Sequence, residues 1–176
     1  MLNTAFVRGT SVYKTRQMGY RRIGIAPFTS VPAVGFDPLR IAAARYVQDE
    51  VQPKSDRVPP LTTRGDDRKA FLAWVARHRP DAVIALSPSS LWWLREAGYR
   101  VPEDIGFAAF LHAQPGICAG CGEVRPEECE AAIDLMDSQL RHGWRGVPEV
   151  ARTLLVEPYW IDGPTLVDRS TFAVSR

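Results

Sequence analysis

Cysteine is scarce in this sequence and odd in number. Three in 176 residues argue against a disulfide framework and fit a reducing, cytoplasmic setting. Charge of either sign is not in excess. The formal net charge of +2 leaves no basic footprint for direct nucleic-acid binding. No apolar run approaches the length of a membrane span, about 18 residues. The first residues lack the basic-then-apolar pattern of a secretory signal. No internal repeat and no low-complexity linker interrupts the chain. The enzyme signatures GxSxG, GxGxxG, HExxH and the Walker loop are missing, so a non-enzyme is expected.

What is present fits one globular domain over residues 1–176, with 45% apolar and 24% charged residues, values ordinary for a folded chain. The stretch from Gly98 to Phe110 organises the reading. Gly98 suits a helix end. Pro102 cannot continue a helix, and Glu103-Asp104 suits an exposed turn. Ile105 to Phe110 is then an almost unbroken apolar run, short enough for a strand buried on both faces. Asp81 to Leu86 gives a second such signal, with a helical stretch from Ser90 to Ala97 between the two. Strand, helix, turn and strand in that order predict a parallel βαβ unit. The expected class is α/β, a doubly wound parallel sheet flanked by helices. Ligands in such sheets sit outside the carboxyl ends of the strands, which points to Ser87, Leu111 and His112.

Along the chain, a first helix is expected to run to about Met18, with Gly19 as its stop, followed by a buried strand at Ile23–Ala26. The loop 27–37 should lie at the same sheet edge as Ser87. Asp37 is read as an N-cap with Pro38 at the first helical position, opening a helix to Val51. Ile41, Ala44, Tyr46, Val47 and Val51 are its candidate core positions. A short strand is expected near Arg57 to Leu61. Asp66 is read as the cap of a helix from Asp67 to His78, with Phe71, Leu72, Trp74 and Val75 inward. One of Trp92 and Trp93 cannot share the core stripe with Leu91 and Leu94. Leu111 to Arg125 reads as irregular. Pro126 opens a helix to about Arg141, with apolar positions at Ala131, Ala132, Leu135, Met136 and Leu140. Strands at Arg152–Val156 and Thr165–Val167 are expected on either side of a loop.

Cys118-Ala119-Gly120-Cys121 is a CxxC, with His112 before it and Cys129 after it. Zinc accepts such ligands, but there is no second CxxC, and no metal or other cofactor is expected. Cys118 and His112 could form a nucleophile–base pair, yet nothing supplies the orienting group.

Four segments resemble the lactose-repressor (LacI/GalR) family of bacterial transcription regulators. They are Met18-Gly19-Tyr20-Arg21-Arg22-Ile23-Gly24, Arg40-Ile41-Ala42-Ala43-Ala44 (with Ala43 where Gly is usual), Gly98 to Gly106, and Leu155 to Leu166 with Arg169-Ser170-Thr171. Members begin with a helix-turn-helix headpiece, followed by a hinge helix and two lobes around a ligand cleft, in the manner of periplasmic binding proteins. The resemblance implies that this chain is the second, C-terminal lobe plus the crossover helix 126–142. The headpiece and most of the first lobe have no counterpart. It further implies a small-molecule effector of carbohydrate type, a homodimer, operator DNA reached only through the headpiece, and no membrane. An uncovered crossover helix would expose Ala131, Leu135 and Met136.

The resemblance also assigns ligand contacts. Arg40 matches the Arg that clamps sugar hydroxyls or a carboxylate through its fork of donors. Ser87 stands where Asn is usual, and Pro88 where Asp is usual. His112 stands where Asp is usual, and can exchange hydrogen bonds with a hydroxyl. Phe28, Trp92 and Trp160 offer aromatic faces to a sugar. A ligand-free dimerisation module and a stand-alone sugar-binding protein remain as alternatives.

Overall fold

A computed structural model of the chain describes residues 11–27, 37–63, 67–86, 88–111, 113–122, 126–144, 146, 154 and 159–170; for 37–41 it describes the backbone alone. Helix α1 covers 11–17 and stops at Gly19, where φ is 89°. The elements that follow are β1 (Ile23–Ala26), α2 (Asp37–Val51), a 3-10 turn (Lys54–Asp56), α3 (Arg68–His78), β2 (Ala82–Ala85) and α4 (Ser89–Glu96). The order closes with β3 (Gly106–Ala109), β4 (Ala119–Cys121), α5 (Pro126–Arg141) and β5 (Trp160–Ile161).

The five strands lie in the order β1-β2-β3-β4-β5. Strands β1 to β4 are parallel, and β5 is antiparallel to β4. Residues of β1, β2 and β3 are buried throughout, as expected for parallel strands covered on both faces. Alternation divides them between two cores. Val83, Ala85, Phe107 and Ala109 pack with Phe71, Trp74 and Val75 of α3 and Leu91 and Leu94 of α4. Ile23, Ile25, Ile84 and Ala108 pack with Val12 of α1 and Ala44 and Val47 of α2 on the opposite face. The expected α/β architecture and the parallel β2–α4–β3 unit are both present.

Several local expectations need correction. Residues 57–61 do not form a strand. Pro59 and Pro60 have no N–H to donate to a ladder. Leu61 N still bonds Ile25 O at 2.9 Å. The buried Gln48 amide supplies the rest, donating from Nε2 to Ile23 O at 3.1 Å and Val58 O at 2.9 Å. Tyr46 of α2 is exposed rather than core. The α3 cap is Asp67, whose carboxylate accepts from Ala70 N at 2.9 Å; Asp66 lies outside the described residues. The segment expected to be irregular contains β4. Gly120 has φ of 144°, and a Cβ there would lie 2.1 Å from Ala109 O, so the close approach to β3 requires glycine.

Thr165–Val167 is not a strand either. Thr165 instead plugs the gap between β3 and β4. Its Oγ1 donates to Phe107 O at 2.8 Å and accepts from Ala119 N at 2.9 Å. The expected strand 152–156 falls outside the described residues, except for an exposed Leu154.

Three of the four resembling segments meet at the amino edge of the sheet. Asp81 accepts from Arg21 N at 2.7 Å and Arg22 N at 2.9 Å, joining β1 to β2. Arg169 N donates to Met18 O, and its guanidinium donates to Pro102 O, each at 2.7 Å. That guanidinium also stacks over the Tyr20 ring, 4.4 Å from its centroid. Arg100 pairs with Asp104 across the intervening turn and holds the Asp104 carboxyl down at about 2.

Helix α5 forms where Pro126 predicts, yet none of its residues is buried. Ile133, Met136 and Leu140 are 58%, 57% and 59% exposed. Their spacing places them on one stripe, which the rest of the described chain leaves uncovered.

Candidate functional site

Parallel pairing without crossover gaps aligns the strand ends. Ala26, Ala85 and Ala109 are register partners, the last residues of β1, β2 and β3. Pairing continues briefly past the strands, with Phe110 N on Ala85 O at 2.7 Å and Leu111 N on Leu86 O at 3.2 Å. The chain therefore leaves three neighbouring strands at one rim, the place where an open α/β sheet binds ligands.

Of the expected contacts, Phe28, Ser87 and His112 follow the last residues of β1, β2 and β3 in sequence by two or three positions. Phe28, Ser87 and His112 lie outside the described residues. Arg40 falls in the first turn of α2, with only its backbone described. The structure thus describes the strand ends and not the side chains of these four residues.

Trp92 is described. Leu91 and Leu94 of α4 are fully buried, and Trp93 packs edge-on against Phe71 with ring centroids 5.7 Å apart. Trp92 is therefore the tryptophan off the core stripe, half exposed, with the Arg95 guanidinium 5.3 Å from its ring centroid. Trp160 is half-buried on β5 and donates from its indole to Asp162 at 2.8 Å.

One buried polar group in α4 had no sequence signal beyond a run of serines. Ser90, in the first turn of α4, is fully buried, and its Oγ has no hydrogen-bond partner among the described residues. The segment leading into this helix is Ser87-Pro88-Ser89, of which Ser87 lies outside the described residues. The observed N-cap is Pro88, which supplies no side-chain hydrogen bond, and the first turn holds no acidic residue.

The two cysteines of the CxxC motif lie three residues apart on an extended segment, so they project to opposite faces. Cys118 joins the core that contains Phe71 and Leu91, and burial pushes its thiol pKa up. Cys121 sits 3.2 Å from the Ser11 hydroxyl of α1, on the other face. Cys129 is exposed on α5. Among the described residues, no group of three or more His, Cys, Asp or Glu is placed to hold a metal. No helix of the described chain is long and apolar enough to cross a membrane.

Neither a protein-family model nor a curated protein matches this sequence. Solved structures do. A LacI transcriptional regulator from a Rhodococcus species aligns over 94% of this chain and 63% of its own, with TM-score 0.70 and 17% identity. A LacI-family regulator from an Arthrobacter species, in complex with lactose, aligns over 93% and 64%, with TM-score 0.69 and 15% identity. An Enterococcus faecium LacI-family regulator with bound ribose aligns over 94% and 64%, with TM-score 0.66 and 12% identity. The chain spans a little under two thirds of the length of each. The chain shares the α/β fold of a large part of these LacI-family regulators.

Proposed function

We propose that this chain is the effector-binding region of a LacI-type transcription regulator. Residues 1–176 act as one sensor and dimerisation unit, the C-terminal lobe with its crossover helix. The ligand is a sugar or sugar derivative held at the carboxyl rim. Arg40, Ser87 and His112 supply polar contacts, and Phe28 and Trp92 supply aromatic cover. The chain is not an enzyme and works in the cytoplasm as a homodimer. Ligand binding alters dimer geometry and so shifts operator affinity through a headpiece outside this chain. The aligned ends of β1, β2 and β3 are the observation that carries this reading. Support comes from fold neighbours that hold lactose and ribose.

A thermal-shift screen against monosaccharides, oligosaccharides and sugar acids tests it. At least one should raise Tm, since ligand at about 100 times its Kd adds roughly 2.7 kcal/mol. Arg40→Ala should abolish that shift while the free protein melts as before. Unchanged binding by this variant would reject the assignment. Size-exclusion with light scattering should give a dimer, and a clean monomer at high concentration would count against pairing.

A second reading keeps the fold and loses the ligand. Ser87-Pro88 where the family has Asn-Asp, and Leu111-His112 at the next strand end, favour a pure dimerisation module. No stabilisation by any sugar in the screen would select it.

A further inference from the structure

Helix α5 presents two faces. Glu128, Ala131, Leu135 and Gln139 recur every three or four residues and are half-buried, so this side of the helix rests on the rest of the chain. Cys129, Ile133, Met136 and Leu140 recur at the same spacing on a stripe about 125° further round, and all four are exposed. The fold gains nothing from large apolar side chains held in water. A contiguous apolar stripe of this kind marks a surface that meets a partner. The stripe is about three turns long, a shape that accepts a single helix laid along it. Met136 suits such a role, since its unbranched side chain adapts to what it meets.

Charge narrows the choice of partner. Helix α5 holds five carboxylates and a single arginine, Arg141. Glu127, Glu130, Asp134 and Asp137 all lie on one flank, about 40° to 120° round the helix from Ile133. Arg141 is taken up by Asp137 at 2.7 Å, and the other three carboxylates of this flank form no ion pair among the described residues. Ala132 and Gln139 line the opposite flank without charge. A second copy of α5 laid antiparallel would bring the two acidic flanks together, and one laid parallel would set two like helix dipoles side by side. A helix with basic residues beside its apolar face meets neither obstacle, and its cations complement the acidic flank.

We propose that α5 is a docking site for an amphipathic helix of another protein. That helix sets apolar side chains against Ile133, Met136 and Leu140, and carries lysine or arginine on the side that meets Glu130 and Asp134. The stripe supplies affinity, and the acidic flank supplies orientation and choice of partner. No contact in this interface involves the effector, so the sensor reading does not depend on it.

Titration calorimetry of the full chain with two synthetic helical peptides tests this. The peptides share one leucine face and differ only in carrying lysine or glutamate at the flanking positions. The lysine peptide should bind at least about tenfold more tightly than the glutamate peptide, and added salt should narrow the gap. Ile133→Ser, Met136→Ser and Leu140→Ser together should cost at least about tenfold in affinity for the lysine peptide, while the free protein keeps a cooperative melt. Glu130→Lys combined with Asp134→Lys should reverse the preference, a gain of glutamate-peptide binding that an unfolded variant would not show. Binding of neither peptide, equal binding of both, or a preference untouched by these variants overturns the proposal. So does a dimer in light scattering that the triple serine variant turns into monomer, since a second copy would then occupy the stripe.

Discussion

At the amino edge of the sheet, Asp81 ties β1 to β2, and Arg169 fastens the turns at Met18–Tyr20 and Pro102 to the C-terminal segment. At the carboxyl edge, the same strands end in line, and the buried Ser90 hydroxyl of α4 has no hydrogen-bond partner among the described residues. The contrast separates two jobs that the sequence mixes together. Segments that make the resemblance legible, such as Gly98 to Gly106 and the residues around Arg169, serve the amino edge and hence the fold. Departures from the family pattern, such as Ser87-Pro88 and His112, follow the ends of β2 and β3 in sequence, with Ser87 and His112 outside the described residues.

Substitutions sort by which side of this contrast they strike. Gly120→Ala should act on the sheet that both edges share. Its Cβ would collide with Ala109 O while adopting a φ that only glycine tolerates, for a cost of at least about 3 kcal/mol. Urea unfolding should show a large drop in midpoint or no cooperative transition. Arg169→Ala removes two carbonyl hydrogen bonds and the Tyr20 stack, about 1–3 kcal/mol in all. It should leave ligand affinity within twofold, since its contacts lie at the far edge. Arg40→Ala should do the reverse, weakening binding at least about tenfold with stability changed by less than about 0.5 kcal/mol. Ile133→Ser on the uncovered stripe of α5 should have the smallest effect, within about 0.5 kcal/mol. A loss above 1 kcal/mol would show that this stripe is covered in solution.

The parts legible in the sequence share a physical cause. Strands β1, β2 and β3 are apolar runs set between glycine, proline and charged residues, and burial on both faces leaves that mark. Helix α5 announces itself through Pro126 and three early glutamates that complement its dipole. The illegible parts depend on partners distant in sequence. Strand β4 is Ala-Gly-Cys, and only the fit of Gly120 against Ala109 O makes it a strand. Residues 57–61 look extended, but their prolines hand the pairing to the Gln48 side chain. Ser87 was read from the strand end it follows, while the ligand role of Arg40 came from resemblance. Ser90 was not readable, because nothing in a serine run tells which hydroxyl is buried without a partner.

Amide chemical-shift mapping during titration with a sugar or sugar acid that stabilises the protein tests the central claim most directly. The predicted result is shifts at Ser89, Ser90, Leu111 and Ala113, with Tyr20, Asp81, Gly106 and Arg169 unmoved. Shifts confined to the second group, or none at either edge from any stabilising carbohydrate, would contradict a ligand site at the carboxyl rim.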